Sequence, residues 1–396
     1  TAGDLTASDT VDGGDGTDTL TLTISSNLTP VLTGVENIDA TITGGTILTM
    51  SSATDVTRVD VENGSGGAVT ISNLASGGTV RLFDLNATYT VDTTAGGSVT
   101  IDSHLDNNTS LTVTDAAAVT IKSSYTGASG AGDVTALALD NIDTTSLTLT
   151  GGTDAQADVD VGAVTNTNVL QTITATTSTA AGVQSDIDSF TVVDGDALTS
   201  ITLTGAGGDI TMGNVGSSGS AEGLATLALT ASAEADVQIT GTVTGDTTDS
   251  SSDQALTITA DAATSSNTDL GTVTHTYGAV TMTQSGAGTN DSTAITADDI
   301  TLTVSAGGGT QTQFTATDDF VANIANSASY IITSVDTGAT SSGAATLTLT
   351  GNSAFALNGV TASSGDLTVD GSAATGTVTV VGTDWTGGST ITGGSG

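Results

Sequence analysis

The chain has 396 residues, of which 43 are Asp or Glu and three are Lys or Arg, giving a formal net charge of −40. Arg58, Arg81 and Lys122 are too few to follow a phosphate backbone or hold an anionic bilayer, which argues against nucleic-acid and membrane-surface binding. Cysteine is absent, which removes disulfides and thiolate metal centres, and no apolar run approaches the ~20 residues of a spanning helix.

All but four of the acidic residues are Asp, the exceptions being Glu36, Glu62, Glu222 and Glu234. Asp favours turns, caps and hard-cation sites, whereas solvated helices favour Glu. With so few basic partners, repulsion among these carboxylates must be met by solvent, salt or bound cations.

Along the chain, Thr or Ser alternates with Val, Ile or Leu in short runs. These cover residues 20–24, 68–72, 98–101, 111–114, 119–121, 147–150, 201–204, 256–259, 302–305, 347–350 and 378–381. Alternation of period two predicts strands with one apolar and one polar face, and β-branched residues favour the extended chain. Turn signals separate the runs: Gly44-Gly45, Asn63-Gly64, Gly77-Gly78, Gly96-Gly97, Gly151-Gly152, Asp194-Gly195 and Asp370-Gly371. One stretch, residues 318–328, reads as a short helix. The strand spacing, about 8 to 12 residues in places and nearer 20 elsewhere, predicts an all-β, elongated β-solenoid resembling a parallel β-helix, in which each coil rests on the last. Tandem β-sandwich domains are the alternative. Aromatics make up only 3 % of the chain, too few to anchor a series of sandwich cores, and the small aliphatic side chains suit a narrow interior. The expected organisation is an N-terminal segment over 1–45, a Thr/Gly/Asp-rich body over 46–386 and a glycine-rich phrase over 387–396.

One motif carries chemistry. Gly13-Gly14-Asp15-Gly16-Thr17-Asp18-Thr19-Leu20-Thr21 fits the nonapeptide G-G-x-G-x-D-x-U-x at every fixed position. Glycines bend the backbone so that carbonyl oxygens converge, Asp18 adds a carboxylate, and Leu20 points inward; oxygen-only ligation of this kind selects Ca²⁺. Here the sequence resembles the RTX family of calcium-binding, type I-secreted bacterial proteins. Leu32-Thr33-Gly34-Val35-Glu36-Asn37-Ile38-Asp39 resembles the phrase that follows such nonapeptides in large secreted surface proteins. The Thr/Ala/Gly/Asp-rich array beyond it is similar to the bodies of RTX-type surface-layer (S-layer) proteins. Gly393-Gly394-Ser395-Gly396 resembles the opening of another nonapeptide, as in a segment of a longer protein. In that family a calcium ion sits between two stacked turns; whether Asp12, Asp15 or a distant loop would complete the site stays open. The metal candidates are therefore Gly13, Gly14, Asp15, Gly16 and Asp18, with Asp194 paired to Asp196 and Asp298 to Asp299 as further acidic turns. Asn290-Asp291, Asp318-Asp319 and Asp366 with Asp370 are similar pairs.

Catalytic signatures are missing. His104 and His275 lie outside any H-x-x-x-H or H-E-x-x-H context and read as exposed residues, and neither a G-x-S-x-G elbow nor a Walker A loop occurs. β-Helix polysaccharide enzymes need cations to hold a polyanion, which three scattered basic residues do not supply; Trp385 and Tyr125 are lone aromatics. Thr-x-Thr segments (21–23, 172–174, 202–204, 348–350) suggest an ice-binding array, but their intervals are irregular. The expectation is a non-catalytic structural protein of a bacterial cell-surface S-layer, extracellular, self-associating and stabilised by calcium, with a cell-surface glycan as a further partner. An adhesin stalk or a β-rich filament subunit is the alternative.

Overall fold

The structure, a computed structural model, describes residues 5–6, 8–63, 67–83, 88–104, 109–124, 134–140, 142–152, 158–165, 167–178, 186–193, 195–216, 221–247, 254–337, 343–362, 365–381, 384–385 and 387–395. The described residues contain no helix, and within each of two units the parallel strands stack coil on coil as a β-solenoid. Tandem sandwiches are antiparallel structures, so the parallel ladders set that alternative aside. The chain divides into two units, Thr1–Val193 and Asp194–Gly396.

In each unit, residues of one type recur at one level of every coil. In the first, Leu20 pairs in turn through Ile38, Val59, Val80, Ile101, Ile121 and Leu149 to Ala175. In the second, an equivalent inward column runs Ile201, Leu227, Ile258, Met282, Leu302, Ala322, Leu347, Val369 and Ile391. Most of these side chains are fully buried. Each Val, Leu or Ile removed from water stabilises the stack by about 1.5–3 kcal/mol. The step between paired residues varies from 18 (Leu20 to Ile38) to 31 (Leu227 to Ile258), so corners absorb the variation and the ladder keeps its register. Gly44, Gly77 and Gly96, all expected turn positions, have φ of +101°, +84° and +73°.

Two expectations are corrected. The helix expected over 318–328 is instead the strand Phe320–Ile324, paired on both sides with Ile300–Val304 and Ala345–Leu349. Phe320, Ala322 and Ile324 point inward while Val321 and Asn323 point out, so alternation of period two prevails over helix propensity. The histidines are not exposed. His275 is fully buried, and His104 keeps only 11 % of its side chain accessible. The Asp246 N–H donates to His275 Nδ1 (3.0 Å), which places the ring proton on Nε2, facing the Gln254 carbonyl. Gly245 and Gly278 make the room: a Cβ on either would lie within 3 Å of the imidazole.

The second unit also encloses polar side chains. Thr268 Oγ1 donates to Asn290 Oδ1 (2.6 Å), Gln311 Nε2 donates to the Asn290 carbonyl (2.7 Å), and the Tyr330 hydroxyl donates to Gln284. Each bond stands in for one that water would make to the same group on an open surface.

Candidate metal centre

The nonapeptide forms the corner between β1 (Thr10–Asp12) and β2 (Thr19–Ile24). The next coil supplies β3 (Val31–Thr33) and β4 (Asn37–Ile42), which pair in register with β1 and β2. Residues 13–18 therefore stack directly on residues 34–36, so the RTX-like phrase is the neighbour of the nonapeptide turn.

Glycine is required here for packing and for conformation. A Cβ on Gly13 would lie 1.9 Å from the Gly34 carbonyl oxygen, while the Gly13 N–H donates to the Thr33 carbonyl (2.9 Å). Gly14 and Gly16 have φ of +81° and +125°, a region L side chains avoid. Asp12 Oδ1 accepts from the Gly14 N–H (3.1 Å), and Glu36 Oε2 from the Asp18 N–H (2.7 Å). Asp18 Oδ2 is buried with no hydrogen-bond partner, which is costly for a carboxylate oxygen. The structure thus gathers Gly13, Gly14, Gly16 and Asp18 with Asp12 and with Glu36 from the facing coil. Asp15 is exposed at the tip. Behind them Asp55 Oδ2 accepts from the Gly34 N–H and from Thr54 Oγ1 (both 2.9 Å), which hold its carboxyl below the ordinary carboxylate range.

The other acidic turns are arranged differently. Asp194 lies outside the described residues, and Asp196 is exposed beside the Gly195-to-Leu198 turn. Asp298 and Asp299 are exposed, but Asp299 Oδ1 accepts from the Asp319 N–H (3.0 Å) one coil on, and Asp319 Oδ1 accepts in turn from the Ala344 N–H (2.8 Å). The same contact recurs from Asp158 to Asp186 N (2.8 Å), Asp209 to Asp236 N (2.7 Å), Asn214 to Thr242 N (2.8 Å) and Asp366 to Gly388 N (2.9 Å). These side chains staple coil to coil, the aspartates at strand entries and Asn214 where the ladder shifts register between Met212 and Val215. That role was not foreseen, although Asp298-Asp299 and Asp318-Asp319 recur one coil apart.

Two further groupings were also unforeseen. Asp115, Asp140 and Asp143 each bring a carboxylate oxygen within 4.8 Å of the others. Asp115 has φ of +61°, its N–H donates to Asp140 Oδ2 (3.0 Å), and Asp140 Oδ1 accepts from the Ile142 N–H (2.9 Å). Desolvation first, then the charges of Asp92, Asp140 and Asp143, raise the Asp115 pKa.

The second grouping is Asp102, His104 and Ser124. Ser124 Oγ donates to Asp102 Oδ2 (2.7 Å), and His104 Nε2 lies 3.3 Å from Asp102 Oδ1 and 3.1 Å from Ser124 Oγ. Serine and aspartate share one imidazole nitrogen, whereas a proton relay needs them on opposite nitrogens. The residue types of a hydrolase triad are present without its geometry. Burial would raise the Asp102 carboxyl, but His104 and two hydrogen bonds from Ser124 outweigh it and hold the pKa at about 2. All three basic residues lie on this same outer face, where Asp39, Asp60, Arg81, Asp102 and Lys122 pair in sequence across neighbouring strands and Arg58 contacts Asp60 at 3.0 Å. Tyr125 lies outside the described residues, as does the side chain of Trp385.

No family model, no curated protein and no solved structure matches the chain.

Proposed function

We propose that the chain is a structural, non-catalytic part of an extracellular bacterial surface assembly of the RTX S-layer type, self-associating and stabilised by calcium. The observation that carries this reading is the buried, unpartnered Asp18 Oδ2 inside a complete nonapeptide turn. A carboxylate oxygen in that position is a ready ligand for a hard cation, and the surrounding donors are oxygens only, the chemistry calcium prefers. Asp18 would be the ligand that the nonapeptide contributes, with Glu36 of the facing coil, which accepts from the Asp18 N–H, beside it. Bound there, calcium neutralises carboxylates on two successive coils and adds its binding free energy to their stacking.

The test is calcium binding by the full chain, followed by calorimetry and by thermal melting. At a calcium concentration 100 times Kd, the first coils should gain about 2.7 kcal/mol. Asp18→Asn, which removes a charge and keeps the shape, should abolish that gain without lowering the calcium-free melting temperature. Equal calcium responses in the two proteins would refute the site.

A further inference from the structure

The Thr-x-Thr segments that look irregular along the sequence are regular in space. In the second unit they stand on the outward face of nine consecutive parallel strands, from Ser200–Gly205 to Ser389–Thr392. One column is Ser200, Thr226, Thr257, Thr281, Thr301, Val321, Thr346, Thr368 and Thr390; its neighbour is Thr202, Ala228, Thr259, Thr283, Thr303, Asn323, Thr348, Asp370 and Thr392. Corner length differs from coil to coil, but the ladder fixes the repeat at about 4.8 Å between strands and about 6.7 Å along them. The irregular spacing therefore does not break the array.

This face is also poor in charge. Its outward carboxylates are Asp261, which accepts from Ser285 Oγ (2.9 Å), and Asp370, which accepts from the Ser372 N–H (2.9 Å). Among the described residues, Asp299, Asp319 and Asp366 stand at the corners that flank the first column, where each accepts from a backbone N–H of the next coil, and Asp236, Asp269 and Asp291 stand on a different face. Two molecules of charge −40 approach most cheaply where each presents few carboxylates, and those it has are already hydrogen-bonded.

We infer that this threonine face is the lateral contact with a second copy of the chain. A surface of fixed repeat is commensurate with itself, so side chains of two copies interdigitate without accumulating mismatch, as identical ladders do in paired sheets. β-Branched Thr gives up little rotamer freedom on association and offers both a methyl and a hydroxyl. Nine strands at about 4.8 Å and two columns at about 6.7 Å, with flanks, cover roughly 550 Å² per copy. The roughly 1,100 Å² total lies just above the ~1,000 Å² a specific contact needs, which suits a contact repeated through an assembly. A two-fold isologous arrangement puts the central strand, Ile300–Val304, on the axis, with Thr303 facing Thr303 of the other copy.

The inference rests on the self-assembly reading, and the absence of cysteine gives it a direct test. In calcium, oxidation of Thr303→Cys should convert the full chain to a disulfide-linked dimer. Thr274→Cys, facing out from another face of the solenoid, should stay monomeric. Thr303→Glu should fold, by circular dichroism, and fail to assemble in sedimentation. Assembly that persists unchanged in Thr303→Glu, or without the Thr303→Cys cross-link, would overturn the lateral contact and leave self-assembly standing. A wild-type chain that stays monomeric in calcium would overturn both. If that monomer shaped growing ice crystals, the face would belong to ice instead.

Discussion

At the scale of single residues, the preference for Asp over Glu has a structural cause. A carboxylate on one methylene reaches the backbone N–H of the adjacent coil, about 4.8 Å away. Asp299, Asp319 and Asp366 make that contact where ladder pairing lapses at a corner. Hydrogen exchange checks it: Asp319→Ala should release the Ala344 amide, while Asp319→Asn, which keeps an acceptor oxygen, should protect it nearly as well as the native residue. Acid stability separates another residue. The Asp102 pKa falls from 3.8 to about 2 on folding, so its contribution is present above pH 4 and is lost as pH falls from about 4 to 2. Asp60, Asp158 and Asp269 have raised values, chiefly through burial, and act oppositely, favouring the folded state as pH falls towards 4. Denaturation of the native chain and of Asp102→Asn across this range should differ by about 2 kcal/mol above pH 4 and converge near pH 2. Parallel curves would show that the Asp102 hydrogen bonds contribute nothing.

At the scale of strands and corners, stability resides in the inward columns. Ile258→Ala removes a buried side chain between Leu227 and Met282 and should cost about 2–5 kcal/mol, felt mainly by the adjacent coils. Thr259→Ala, one residue on and facing out, should change stability by less than about 0.5 kcal/mol; urea unfolding monitored by exchange in neighbouring strands measures both. Legibility in the sequence follows the same division. Alternation along a strand is local, so the strands and their inward faces were legible. Phe320, Ala322 and Ile324 carried that alternation too, but the polar flanks of residues 318–328 hid it. Coil length was not legible, because corners vary and only the ladder restores the repeat. The burial of His275 depends on Gly245 and Gly278, a relation that spacing alone does not reveal. The nonapeptide was legible as a motif; its facing partner, Glu36, emerged only once Thr19 was paired with Asn37.

At the scale of the whole molecule, charge sets the condition that the proposed self-assembly must meet. A chain of −40 with three basic residues resists close packing. Its acids are partly absorbed as coil staples, which lowers the number that need an ion. The nonapeptide corner keeps an unpartnered carboxylate oxygen, and the second unit keeps a threonine-rich face whose outward carboxylates are Asp261 and Asp370. Calcium at the first and lateral contact at the second would together allow assembly. The most direct measurement is electron microscopy of the purified full chain in millimolar calcium and again after excess EGTA. Ordered arrays in calcium that disperse on chelation are the predicted result; isolated particles in both conditions, or arrays that keep their order in EGTA, would contradict calcium-dependent self-assembly.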